Sequence, residues 1–206
     1  MIAANTDAQS KISPQNALDM LKEGNTRFLS NQQTEKSLLE EVEGTNAGQY
    51  PFACILGCID SRVPAELVFD TGIGDLFNAR VAGNFVNTDI LGSMEFACKL
   101  AGAKVILVLG HTQCGAVKGA CDDAKLGNLT DMLANITPVV ADTPYEGDRS
   151  SKNLTFVDMV AENNVKATIE KIKSDSAVLQ EMESNGDIII AGAMYDVASG
   201  KVSFMD

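Results

Sequence analysis

The sequence predicts an α/β fold: a mostly parallel central sheet of about four strands with an antiparallel edge strand, flanked by helices and preceded by an N-terminal helical arm. Three observations carry this. Short, nearly all-apolar runs such as Phe52-Ala53-Cys54-Ile55-Leu56 read as strands covered on both faces. Segments with helical spacing of apolar residues alternate with those runs, the pattern of crossover connections in a parallel sheet. The length of 206 residues suits one domain with a sizeable core and is cramped for two.

The elements follow in order. Ser13-Pro14 opens the first strong helical signal, with Ser as N-cap and Pro at the first helical position. Ala17, Leu18, Leu21, Phe28 and Leu29 then fall at roughly helical spacing, with Gly24 as a weak point. The polar stretch from Gln32 to Gly48 holds a short helix around Leu38 to Val42. Residues 1–48 thus read as an arm packing on the body or on a partner subunit, within a single domain spanning 1–206. Pro51 to Gly57 is the first strand, Pro64 to Phe69 a short helix, and Leu76 to Val81 the second strand. Thr88 or Asp89 caps a helix running to about Leu100, stopped by Gly102. Lys104 to Leu109, rich in β-branched residues, is the clearest strand. After Gly110 the chain turns through His111 into a helix beginning near Cys114. Amphipathic segments at Thr130 to Val140 and Asn153 to Ile172 flank a polar loop, Asp142 to Ser151. A helix near Ser176 to Glu183 leads to the buried strand Ile188 to Ala193, and Lys201 to Phe204 forms the antiparallel edge.

Composition removes several classes of function. A formal charge of −12 argues against nucleic-acid partners, whose phosphates demand Lys and Arg. Hydrophobic content of 45% with mean hydropathy near zero fits a globular chain. No run approaches the roughly 18 apolar residues of a membrane span. Met1 to Asp7 lack a basic start followed by an apolar segment, so the expected compartment is the cytoplasm, or the periplasm for a chain trimmed from a precursor. Five cysteines, an odd count in a chain too large to need disulfide staples, point to reduced thiols, some of them metal-bound.

Two motifs carry the chemistry. Cys58-Ile59-Asp60-Ser61-Arg62 follows the first strand and His111-Thr112-Gln113-Cys114 follows the third. In parallel sheets ligands bind beyond the carboxyl ends of strands, at a switch in strand order; neighbouring first and third strands would bring both motifs to one edge. Cys58, His111 and Cys114 supply two thiolates and an imidazole, a donor set that favours zinc over oxygen-seeking cations. His111 is the only histidine, so any imidazole chemistry must use it. The positive end of the following helix is expected to help hold Cys114 as thiolate. Three protein ligands leave a fourth position for water. Asp60 can close that position as a fourth ligand, or pair with the planar fork of Arg62 and leave it open. The default for Cys54, Cys98 and Cys121 is packing.

These residues resemble the β-class carbonic anhydrases. The carriers are Cys58-Ile59-Asp60-Ser61-Arg62-Val63-Pro64, the segment from Phe77 through Arg80 to Ala82-Gly83-Asn84, and Gly110-His111-Thr112-Gln113-Cys114-Gly115-Ala116. The likeness is dense from Gln49 to Gly119 and looser over the whole chain. It implies four parallel strands with an antiparallel edge, obligate dimers that often pair further, and one zinc per subunit held by Cys58, His111 and Cys114. It implies Asp60 and Arg62 as the gating dyad, Gln49 reaching the neighbouring subunit's substrate pocket, and Phe77, Ala82 and Phe96 lining that apolar pocket. The family often has Ser where this chain has Ile59 and Tyr where it has Phe96, which removes any phenolic hydroxyl from the last position. Some members bind inhibitory bicarbonate through a tryptophan three residues before the first zinc cysteine. Here that residue is Ile55 and the chain has no Trp, so no such site is expected, and the resting metal position is expected to be open at neutral to alkaline pH. The implied reaction is reversible hydration of CO2 by hydroxide generated at the zinc. A hydrolase of carbonyl sulfide or carbon disulfide could use the same site. A non-catalytic zinc scaffold would need neither Asp60 nor Arg62.

Two expectations can be tested in solution. Two thiolates cancel the zinc charge where three neutral imidazoles would leave it positive, so water is polarised less and activity should rise toward alkaline pH; a rate already maximal below neutrality contradicts this. With His111 committed to metal, no second histidine can shuttle protons. Turnover should therefore depend on external buffer, and a rate indifferent to buffer concentration at fixed pH and ionic strength would count against it.

Overall fold

The computed structural model describes residues 5–205; the leader-peptide reading of the first residues lies largely outside them. In chain order the elements are α1 (Thr6–Ser10), α2 (Pro14–Leu29), α3 (Leu38–Thr45), β1 (Ala53–Gly57), α4 (Ala65–Val68), β2 (Leu76–Arg80) and α5 (Thr88–Glu95), which runs into a π-helical turn, Phe96–Leu100. They continue with β3 (Val105–His111), α6 (Gly115–Cys121), α7 (Gly127–Leu133), α8 (Thr137–Asp142), α9 (Leu154–Asp175), α10 (Ala177–Ser184), β4 (Ile189–Tyr195) and β5 (Val202–Phe204).

The strands form one sheet in the order β2-β1-β3-β4-β5. The first four are parallel and β5 is antiparallel to β4. Strand order reverses between β1 and β3, which are direct neighbours with Gly57 opposite Leu109. Side chains alternate across the sheet as a period of two requires. Cys54, Leu56, Ile106, Val108 and Ile190 pack on one face with residues of α5, α9 and α10. Ala53, Ile55, Val105, Leu107, Leu109 and Ala193 pack on the other with Ala17 and Leu21 of α2 and Val68 of α4. Each fully buried Ile or Leu contributes about 1.5–3 kcal/mol, so the two-sided burial of β1 and β3 makes these strands the centre of the molecule. No helix among the described residues is long and apolar enough to cross a membrane.

Differences from the expected elements have local causes. The cap of α5 is Asn87, which accepts from Ile90 N at 3.0 Å, rather than Thr88 or Asp89. The single amphipathic segment expected over Thr130 to Val140 is two helices, α7 and α8, because Pro138 lacks the N–H an interior turn needs and sits in the first turn of α8 instead. His111 is the last residue of β3, not part of a turn, since the ladder with β4 continues to its pairing with Tyr195. Gly24 is no weak point: a Cβ there would fall on the carbonyl of Phe69, so its bare backbone lets α2 close on the end of α4.

Buried polar side chains pin the arm. Gln9 donates to Pro51 O and Ala101 O, each at 2.8 Å. Asn25 donates to Gly200 O at 3.0 Å and accepts from Val202 N at 2.9 Å, tying α2 to the start of β5. By contrast, α3 buries none of its residues and exposes Leu38, Leu39 and Val42.

Asp70, whose side chain is fully buried, receives Arg27 Nε at 2.6 Å, Lys36 Nζ, and Thr34 N and Oγ1 at 3.0 and 2.9 Å. Burial works to raise its pKa, but these donors together hold the carboxyl well below the usual range. Removing one partner of a buried pair costs about 3–5 kcal/mol. Arg27 and Lys36 keep some solvent access, so Asp70→Asn should cost about 2–3 kcal/mol, read as a lowered urea midpoint. Because the folded pKa is depressed, this contribution is present above the unfolded value of about 3.9 and fades as pH falls below it. The gap between wild type and variant should close in acid; a gap that stays constant there refutes the assignment.

Candidate metal centre

The β1–β3 pairing delivers Cys58, one residue beyond β1, and His111, the end of β3, to the same sheet edge. A two-residue turn then carries the chain to Cys114, the N-cap of α6. The ligand atoms of Cys58, His111 and Cys114 lie within 4.8 Å of one another, and all three residues are buried. The two sulfurs are 3.9 Å apart. Val117, Ile136, Phe156, Val157 and Val160 pack with Cys58 and Cys114 in an apolar shell.

The imidazole is oriented by its own neighbour. His111 Nδ1 lies 2.9 Å from Thr112 O; a carbonyl only accepts, so Nδ1 carries the hydrogen and the lone pair is on Nε2. Nε2 is buried and has no hydrogen-bond partner among the described residues. Leaving such a nitrogen dry and unpaired costs about 1–3 kcal/mol, a cost that ligation removes.

Asp60 stands beside the cluster, with Oδ2 at 3.8 Å from His111 Nε2. Arg62 grips it in a fork, Nε to Oδ1 at 2.9 Å and Nη2 to Oδ2 at 2.8 Å, and adds its backbone N–H to Oδ1 at 2.9 Å. The Arg62 guanidinium holds the Asp60 carboxyl well below the usual carboxylate range despite partial burial, and Asp60 raises the Arg62 pKa in return. Arg80, from β2, donates to Cys58 O at 2.8 Å and Asp60 O at 2.7 Å, fixing the backbone of the motif.

The thiols form a coupled pair. The hydrogen bond from Cys114 lowers the pKa of Cys58, helped by the Gly83 N–H that reaches its sulfur at 3.4 Å. The same pairing, with burial, raises that of Cys114. Backbone N–H groups of Val117 and Ala116 do act to lower Cys114, as a helix start should, but they are outweighed. The helix start thus helps Cys114 toward the thiolate, as expected, while its partner and burial work against it, and Cys58 is the more acidic thiol of the two. Burial pushes the Cys54 and Cys98 thiols up to about 12 and Cys121 to about 11, which keeps them out of this chemistry.

Of the remaining expected residues, two line a cleft whose walls include none of Cys58, His111 and Cys114. Phe77 and Phe96 meet edge to face, with ring centroids 6.1 Å apart, and line a cleft of about 550 Å³ against β2 and α5. The π-helical turn leaves Phe96 49% exposed while burying Ala97 and Cys98. Ala82 is half-buried beside Gly83, and Gln49 is exposed ahead of β1. Several contributors had no assigned role from sequence: Arg80, the Gly83 N–H, and Asn164 of α9, which donates to Gly83 O at 2.8 Å. Thr112 Oγ1 accepts from Val197 N at 3.0 Å, and Asp158 of α9 accepts from Gln113 N at 2.7 Å.

Comparison with known proteins agrees with this geometry. The family model described as carbonic anhydrase matches residues 53–202. Carbonic anhydrase 2 of Mycobacterium tuberculosis is 35% identical over 199 residues, covering 94% of this chain and 93% of that protein. The carbonic anhydrase of Mycolicibacterium smegmatis is 34% identical over 195 residues, covering 92% of each. Among solved structures, the β-carbonic anhydrase CafA of Aspergillus fumigatus superposes with a TM-score of 0.72 at 28% identity, over 93% of this chain and 90% of that one. One of two tetrameric β-carbonic anhydrases of Sordaria macrospora gives 0.71 at 28%, over 78% and 83%. The chain belongs to the carbonic anhydrase family, in its β class.

Proposed function

We propose that this chain catalyses the reversible hydration of CO2 to bicarbonate and a proton, using one zinc ion held by Cys58, His111 and Cys114. The observation that carries the reading is the convergence, at one sheet edge, of two thiols with a buried His111 Nε2 that has no hydrogen-bond partner among the described residues. Two sulfurs and one imidazole nitrogen are a donor set zinc takes readily, so the residues fit the metal. Bound there, zinc would supply a Lewis acid that lowers the pKa of a bound water, less strongly than a site of neutral imidazoles would.

The chain's own residues do the rest. Thr112 O fixes the His111 tautomer so that the Nε2 lone pair would be available to a metal. Asp60, kept charged and turned toward Arg62, leaves the fourth position to water and offers an acceptor that orients it. That fork also supports an open site over a closed one. Phe77, Ala82 and Phe96 provide the apolar wall for CO2, and Gln49, exposed here, is assigned to the pocket of a partner copy. The tetrameric Sordaria relatives support a homo-oligomer. Five free cysteines suit a reducing compartment, which we take to be the cytoplasm.

Zinc content measured beside CO2-hydration rate tests the assignment. Cys114→Ala should lose metal and activity together. Asp60→Ala should keep its metal and lose rate by about 10–100-fold. A zinc-loaded wild type with no CO2-hydration activity would sink the proposal, and an Asp60→Ala variant at full rate would remove Asp60 from it.

A further inference from the structure

We infer that Asp158 is a positioning residue of the metal centre: it holds the Thr112–Gln113 turn so that His111 Nε2 and Cys114 Sγ stay at ligand separation. The inference rests on the zinc reading above and concerns a residue outside the ligand set and the Asp60–Arg62 pair.

Only two residues separate His111 from Cys114, so the conformation of that turn sets the distance between the two donors. Gln113 has φ of +56°, the left-handed region that side-chain-bearing residues enter at a cost. A turn in such a state relaxes unless its surroundings hold it. Thr112 is held on one side, through Val197 N and Asp196. That anchor lies on the His111 side of the turn.

The Cys114 side has a different anchor. Gln113 N donates to Asp158 Oδ1 at 2.7 Å, a short bond to a carboxylate and hence a strong one. Cys114 is the N-cap of α6, a helix of only seven residues, so the turn before it adds to what holds the ligand. Asp158 is carried by α9, a 22-residue helix in which Phe156, Val157, Val160 and Ala161 are buried. Its carboxylate is thus mounted on a rigid part of the core. Outer partners that orient ligands commonly govern metal retention, and Asp158 occupies that place for the His111–Cys114 pair.

The test uses the zinc-loaded full chain and the rate of zinc release to a chelator at a temperature well below every variant's Tm. Asp158→Ala should release zinc about 10–100-fold faster than wild type. Asp158→Asn, which keeps an acceptor oxygen, should stay closer to wild type than to the alanine variant. Glycine enters the left-handed region freely, so adding Gln113→Gly to Asp158→Ala should recover part of the lost retention; a purely structural role for Asp158 would give no such rescue. Wild-type release from Asp158→Ala overturns the inference, and so does a failure of Gln113→Gly to slow release in that background. If Asp158→Ala does not fold, Asp158→Asn and the double variant carry the same comparison, with equal release from both and the wild type counting as refutation. A wild-type chain that binds no zinc refutes the metal reading itself and takes this inference with it, a different result from a zinc-binding wild type with an indifferent Asp158.

Discussion

The side-by-side pairing of β1 with β3 is the constraint on which the rest depends. It makes both strands two-sided, which is why their sequences are apolar without alternation. It also makes β1 and β3 end together, so Cys58 and the His111–Cys114 turn, more than fifty positions apart in the chain, emerge at one edge. The reversal of strand order at this pair opens a crevice there. Helix α9 then covers β3 and reaches the crevice at two points, through Asp158 to the Gln113 N–H and through Asn164 to the Gly83 carbonyl.

Charge at this edge is arranged with economy. The chain is strongly acidic, with a net charge of −12, yet two of its arginines are committed to a five-residue motif. Arg62 holds the Asp60 side chain and Arg80 holds the backbone carbonyls of Cys58 and Asp60. The carboxylate therefore sits close to the imidazole without being free to swing. Gly83 contributes in another way: its φ of +84° and the proximity of Ile136 exclude a side chain, and its N–H is thereby free to reach the Cys58 sulfur.

Much of this was legible because the informative residues are scarce. A sole histidine three residues before a cysteine at the end of a β-branched run leaves few alternatives, and Asp60 with Arg62 beside Cys58 narrows them further. The strands were legible from apolar runs, and helix starts from Ser13-Pro14 and Ser176. What could not be read depends on three-dimensional placement. Asp158 and Asn164 look like ordinary polar positions of an amphipathic helix until the rotation of α9 is fixed. Gln9 and Asn25 resemble solvated surface amides, but both are buried and bonded to backbone groups. The coupled state of Cys58 and Cys114 belongs to the distance between their sulfurs, which no local pattern encodes.

The isolation of His111 has one more consequence. It is the only imidazole in the molecule, it is sealed from solvent, and its tautomer is set by a backbone carbonyl. A heteronuclear NMR spectrum of the whole protein would therefore contain one imidazole spin system. Its Nε2 resonance would report on whatever occupies the centre and on the Asp60 carboxylate 3.8 Å away. The composition of the protein thus supplies a single-site reporter, native and already in place, for the region where its chemistry is assigned.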